Sequence, residues 1–264
     1  MRILNFLFSR SKQEQDKPIR DKLKTRKDFE RVLAEDLDIM ETTKARIDTA
    51  KNINLYMYRS LSYSYILILQ SKYSVDAKID ELRDIYIKSM YYFLQAFNKR
   101  NPIYADILNY VSLGVLLNIP DDNFRQLIDY VKQMDKQAKP SGWTPDLLLW
   151  FMLNSRMKEQ EKQKYAETLA YPRLYNGLYK VIQAPNAAAA KDALNKYLDR
   201  WYNLNSDAPW YNSHLKNNSY RGYWAWEVAA VAKIMHIDDS DLKNNQYYPY
   251  DMVHWEDNET TAKE

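Results

Sequence analysis

The sequence predicts an all-α protein of about eight to ten antiparallel-packed helices in two helical halves, and three observations carry that prediction. Between Pro18 and Pro102 the chain runs 83 residues with neither glycine nor proline, a stretch that helices tolerate and turn-rich β folds do not. Only four glycines occur in 264 residues, Gly114, Gly142, Gly177 and Gly222. Hairpin turns, phosphate-cradling loops and dinucleotide fingerprints therefore lack the residue their backbones need. Apolar side chains, 46% of the total, recur three and four residues apart, the spacing of one helix face.

Phe29, Leu33, Leu37, Met40 and Ile47 form the first such stripe. A second helix is expected from Leu55 to Gln70. Ser74 or Asp76 would cap a third, in which Ile79, Leu82, Ile85, Tyr86, Met90, Phe93 and Phe97 keep a period of 3.6. Asn101-Pro102 breaks it and opens a fourth, to about Asn118. Asp121 or Asp122 would cap the next helix, which carries Phe124, Leu127, Ile128 and Val131. Thr144-Pro145 puts a capping hydroxyl before a first-turn proline, and the seven apolar residues from Leu147 to Leu153 mark a central helix. Tyr171-Pro172 and Pro185-Asn186 are further starts, the latter leading through Ala187 to Ala190 toward Tyr197, Trp201 and Tyr202. A polar loop from Asn203 to Ser219, holding Trp210 and Tyr211, precedes an aromatic helix expected from Tyr220 to Met235.

A weak internal repeat fits two halves. Leu113, Leu116, Leu117, Ile119, Asp121 and Phe124 match Val231, Ile234, Met235, Ile237, Asp239 and Leu242 at an offset of 118. In both places a helix ends, an Ile packs back, an acid caps, and an apolar residue enters the next helix. The expected division is an N-terminal helical domain, 1–140, and a C-terminal helical domain, 141–264, meeting near Lys139 to Gly142.

Charge is polarised along the chain. The net charge is +3, but residues 1–31 carry ten Lys or Arg against five Asp or Glu, and residues 236–264 carry eight acids against Lys243 and Lys263. A basic head can meet nucleic acid or anionic lipid and an acidic tail a basic partner; solvated termini are the plain alternative. Cysteine is absent, which excludes disulfides, thiolate metal sites and a cysteine nucleophile. The longest uncharged stretch, Ile107 to Pro120, is fourteen residues against the roughly 18 to 20 that a membrane helix needs. The greasy start Ile3 to Phe8 is shorter than the apolar core of about 7 to 15 residues in a signal peptide. A cytoplasmic location is expected.

No motif for catalysis emerges. His214, His236 and His254 are the three histidines, and none has the spacing of a metal-ligand pair. No G-x-S-x-G elbow is present. Glu159 with Glu161 reads as a solvated charge run, and Asp238, Asp239 and Asp241 as a helix-terminus capping cluster. Glu227 differs, being the one charged residue between Arg221 and Lys233 in an apolar, aromatic stretch. A helix so apolar is buried, so Glu227 is expected to project through a gap or to meet an Arg, a Tyr hydroxyl or an indole N–H. Most Tyr and Trp fall at core spacing. Trp210-Tyr211 and Tyr247-Tyr248-Pro249-Tyr250 do not, and aromatics beside acids suit a protein interface.

The stretches Trp210-Tyr211-Asn212-Ser213-His214, Tyr220-Arg221-Gly222-Tyr223-Trp224-Ala225-Trp226-Glu227, Ile237-Asp238-Asp239-Ser240-Asp241-Leu242-Lys243 and Tyr247-Tyr248-Pro249-Tyr250-Asp251-Met252-Val253 resemble the PoNi family. Looser matches upstream are Arg20-Asp21, Tyr73-Ser74, Asn118-Ile119-Pro120-Asp121-Asp122 and Tyr197-Leu198 with Trp201-Tyr202. The resemblance implies an immunity protein that binds a cognate PoNe-type DNase toxin of bacterial competition systems and holds it inactive in the producing cell. It implies no enzyme, no cofactor, no metal and no small-molecule substrate. A chain of net charge +3 is a poor bulk mimic of DNA, but a local acidic and aromatic patch suits a nuclease whose DNA groove is basic. The candidate toxin interface is Asp238, Asp239, Asp241, Tyr247, Tyr248 and Asp251, with a capped, packed chain end as the alternative for these six. Tyr223, Trp224 and Glu227 form the structural part of the motif. The rival reading is a nucleic-acid-associated or scaffold helical protein using Arg20, Lys22, Lys24, Arg26 and Lys27.

Overall fold

The computed structural model describes residues 18–97, 103–136, 143–216 and 219–261. The head segment Ile3 to Phe8 and the junction around Gly142 lie outside these residues. Among them the chain forms ten α-helices and no strand, as an all-α reading requires. They fall into two compact units: residues before 100 together with 212–222, and residues 100–211 together with those from 223 onward.

The first unit contains α1 (Arg26–Thr49), α2 (Leu55–Ser74) and α3 (Ile79–Phe97), with α2 packed against both others. Thr25 and Asp28 form a reciprocal capping box that starts α1. Of the α1 stripe, Phe29 and Leu33 are buried while Leu37, Met40 and Ile47 are half-buried. Ser89 donates its hydroxyl to the Ser62 carbonyl at 2.8 Å, a small-residue contact that brings α2 and α3 close together. Ser74 does not cap α3 as expected. It closes α2 and donates its hydroxyl to the Arg221 carbonyl at 2.9 Å, and Asp76 takes a φ of 80° in the turn that follows.

The distant segment Asn212–Gly222 completes this unit. The Tyr220 hydroxyl donates to Asp21, and the Arg221 guanidinium grips the Asp36 carboxylate at 2.5 and 2.8 Å. Both partners of that pair are buried, at 8% and 3% exposure. Two cations of the basic head are also engaged locally. Arg20 donates to the carbonyls of Tyr73 and Ala77 at 3.1 and 2.9 Å and faces Asp76, and Arg26 donates to the Val75 carbonyl at 3.1 Å.

The second unit contains α4 (Tyr104–Leu116), α5 (Asp121–Lys136), α6 (Leu147–Asn154), α7 (Pro172–Ile182), α8 (Ala187–Leu204), α9 (Trp226–Met235) and α10 (Tyr250–Thr261). α6 is central: Leu148, Leu149, Met152 and Leu153 have no solvent contact. Its cap is Asp146 and not Thr144. The Asp146 carboxylate accepts from the backbone of Leu149 and Ala170 at 2.7 Å each and from the Tyr104 hydroxyl at 2.8 Å. α7 starts on Pro172 and α8 on an Asn186 cap, as the sequence suggests. Where these two helices cross, a Cβ on Gly177 would lie 2.7 Å from the Tyr197 ring, so only glycine permits that approach.

The repeat reports a local geometry. At its two copies Asn118 and His236 both adopt left-handed φ, 42° and 51°. Ile119 N–H then reaches the Gly114 carbonyl at 3.3 Å and Ile237 N–H the Ala232 carbonyl at 3.1 Å, the long reverse bond of a Schellman ending. Both isoleucines are buried, and the two helices they end, α4 and α9, pack on each other. α9 itself is shorter than the expected Tyr220 to Met235. Tyr220 and Arg221 are held in the first unit, Gly222 takes a φ of 107°, and Ala225 N–H bonds the Tyr247 carbonyl at 2.8 Å, so the helix begins only at Trp226.

Candidate protein-binding surface

Of the four C-terminal motif stretches, Trp210-Tyr211, Tyr223 to Glu227, Ile237 to Lys243 and Tyr247 to Val253 lie in the second unit with α8 and α9, while residues 212–222 belong to the first. Behind the surface, the Trp201 indole donates to a Glu227 carboxyl oxygen at 2.6 Å, selecting the indole among the partners considered for this acid. Glu227 keeps a little solvent contact as a residue, but its carboxyl lies deep in protein. Burial raises its pKa to about 7 despite the lowering hydrogen bond from Trp201. The buried tyrosines Tyr104, Tyr175 and Tyr197 are pushed well up as well, by burial first and then by the Asp146 or Glu227 charge. Tyr223 and Trp224 are buried at 3% and 7% exposure.

The six candidate interface residues separate by burial. Asp239 and Tyr248 are both buried at 2% exposure and joined to each other: the Tyr248 hydroxyl donates to Asp239 at 2.6 Å, and His254 Nε2 stands 2.7 Å from the other oxygen. They offer no surface to a partner. Asp238, Asp241 and Asp251 are exposed and Tyr247 is half-buried. Lys191 of α8 bridges Asp238 at 2.8 Å and Asp241 at 3.2 Å, and Asn195, one turn on, donates to Asp241 at 3.1 Å. The Lys191 hydrogen bond, with help from Ser240, holds the Asp238 carboxyl well below its ordinary range. Asp241 is mildly desolvated, but Asn195 and Lys191 outweigh that and lower it too.

The two aromatic stretches without a helical face, Trp210-Tyr211 and the one containing Tyr247, meet here. Tyr202 of α8 lies between them, its ring stacked 4.5 Å from Tyr211 and 5.3 Å from Tyr247, the latter nearly parallel at 4°. Beside them Trp210 stacks on Trp201 at 5.4 Å and 19°. Tyr223 touches both Tyr202 and Trp210, at 5.2 and 5.4 Å. Tyr202, Trp210, Tyr211 and Tyr247 are half-buried, while Trp201 and Tyr223 beneath them are buried. Sequence reasoning placed Tyr202 on this helix without giving it a role at the surface. The signal for one was available: it stands eleven residues from Lys191 and seven from Asn195, on one side of a helix, and that side is polar.

Among the described residues no group of three His, Asp or Glu is placed to hold a metal ion. No helix there is long and apolar enough to cross a membrane.

Two family models match the chain. One, described as PoNe immunity protein (PoNi), N-terminal, covers residues 12–129; the other, PoNe immunity proteins (PoNi), C-terminal, covers residues 144–252. No curated protein sequence matches it. Among solved structures it is similar to protein PA2201 from Pseudomonas aeruginosa, with 17% identity, a TM-score of 0.70, and coverage of 96% of this chain and 93% of that one. At that identity the likeness concerns the fold.

Proposed function

We propose that this chain, which belongs to the PoNe immunity protein (PoNi) family, binds a cognate DNase toxin stoichiometrically and neutralises it, protecting the cell that makes both. The observation that carries the reading is the match of both family halves, in order, over nearly the whole chain. On this reading the protein works by binding, in the cytoplasm where an incoming nuclease would meet DNA. It has no substrate of its own, and its halves are 1–140 and 141–264.

The members of the candidate interface that reach solvent, the exposed Asp238, Asp241 and Asp251 and the half-buried Tyr247, are the proposed contacts, supported by that exposure and by the place of Tyr247 in the aromatic cluster. Asp239 and Tyr248 hold that chain end in shape from below. The capture of Arg20 and Arg26 by carbonyls at the end of α2 weighs against a basic arm dedicated to nucleic acid. The test is plasmid cleavage by the toxin encoded beside this gene. Cleavage should stop at equimolar protein with a complex on a sizing column; undiminished cleavage at molar excess, with no complex, would overturn the reading.

A further inference from the structure

We propose that the stacked rings of Tyr202, Trp210, Tyr211 and Tyr247 form the anchor of the toxin-binding surface, seating arginine or lysine side chains that project from the basic face of the nuclease. The inference rests on the immunity reading and names the surface that would carry it out.

Four observations support the placement. Tyr202 lies flat against Tyr211 and Tyr247, at 4.5 and 5.3 Å, and Trp210 flat against Trp201 at 5.4 Å, and each of the four keeps part of its area at the surface. They are fixed in advance: Trp201 is tied to Glu227, and Tyr247 is held through its carbonyl by Ala225 and through its N–H by Asn245 at 2.9 Å. Rigid aromatic side chains lose little entropy on binding, which is why they dominate the energetic centres of interfaces.

The charge beside the rings decides the occupant. Lys191, Asn195, Asp199 and Tyr202 succeed one another along one side of α8, a run of about 16 Å at 1.5 Å per residue. Asp238 and Asp241 clasp Lys191 at its far end. Two carboxylates, Asp238 and Asp241, thus share one ammonium, and the exposed Asp199, one turn before Tyr202, adds a negative charge beside the rings. Arg200, two residues before Tyr202, points to the other side of the helix. A guanidinium seated on the outer ring faces gains from the rings and from Asp199 beside them, and a second cation farther along α8 gains from Asp238 and Asp241. Phosphates would be repelled by the same carboxylates, so a stacked single strand of nucleic acid fits poorly although the rings alone would suit it.

The experiment uses the full chain and a catalytically inactive form of the toxin encoded beside its gene, with affinity measured by calorimetry. Tyr202→Ala/Tyr211→Ala should weaken binding at least tenfold. Asp238→Asn/Asp241→Asn, which leaves the rings intact, should weaken it several-fold and flatten its salt dependence. Tyr63→Ala, on an exposed tyrosine of the other unit, should bind as the parent does, and matching thermal melts exclude misfolding. If the parent binds and both variants bind within twofold of it, the anchor is wrong while the immunity reading stands. If the parent neither binds nor inhibits, both fall. An oligothymidine strand bound by the parent and lost with Tyr202→Ala/Tyr211→Ala would overturn the choice of occupant.

Discussion

At the scale of single residues the decisive group is Glu227. Its carboxyl ionises near pH 7 in the folded chain and near its ordinary 4.5 when unfolded, because burial disfavours the charge more than the Trp201 indole favours it. The folded state therefore holds more protons between those two values, and stability falls as pH rises from about 4.5 to 7. The full penalty, reached above pH 7, is about 3 kcal/mol at 1.36 kcal/mol per unit. Glu227→Gln keeps an oxygen for the indole and removes the charge. We expect it to stabilise the protein at pH 8 by up to about 3 kcal/mol and to change little at pH 4.5, read from urea melts of both proteins at both pH values. Equal stability of the two at pH 8 would show that the carboxyl is solvated. That Glu227 would be enclosed was legible from its isolation in an apolar run. Its partner was not, since Trp201 lies 26 residues away and only packing brings it there.

At the scale of elements, helix starts with a local signal were legible and those decided by distant contacts were not. Pro172 and the Asn186 cap act within one turn. The start of α6 moved from Thr144 to Asp146 because Tyr104 and Ala170 also need that carboxylate, and α9 lost Tyr220 and Arg221 to partners in the first unit and begins only after the Ala225–Tyr247 backbone bond. The strap Asn212–Gly222 has the clearest energetic signature. Arg221 and Asp36 are buried together, so removing one strands the other. Asp36→Ala should cost about 3–5 kcal/mol, whereas Asp36→Leu with Arg221→Met should cost much less, since no charge is then left buried. Exposed pairs such as Arg173–Asp207, at 62% and 79% exposure, should be worth no more than about 1 kcal/mol. Chemical denaturation of the parent, Asp36→Ala, Asp36→Leu/Arg221→Met and Asp207→Ala separates these cases; an Asp36→Ala loss under 1 kcal/mol would mean that Arg221 finds water.

At the scale of the whole molecule, the order of the chain and the order of its packing disagree. The sequence reads as two consecutive halves, but the unit built on α1, α2 and α3 takes its last piece from residues 212–222. No periodicity could show this, because the interactions responsible are one hydroxyl on Asp21 and one guanidinium on Asp36, about 200 and 185 positions apart. A fragment of residues 1–140 would leave both carboxylates without these partners. Burial already pushes the Asp21 carboxyl up, and an unpartnered Asp36 would add a cost of several kcal/mol to a domain whose total stability is typically about 5–15 kcal/mol. We therefore expect 1–140 alone to lose cooperative unfolding and the slow amide exchange of α1–α3, and co-expression with 141–264 to restore both. If the fragment alone keeps native-like exchange protection in α1–α3, the strap is an ornament of the first unit. If protection returns only with the second fragment, the strap is part of its core, and neither half of this immunity protein is an independent module.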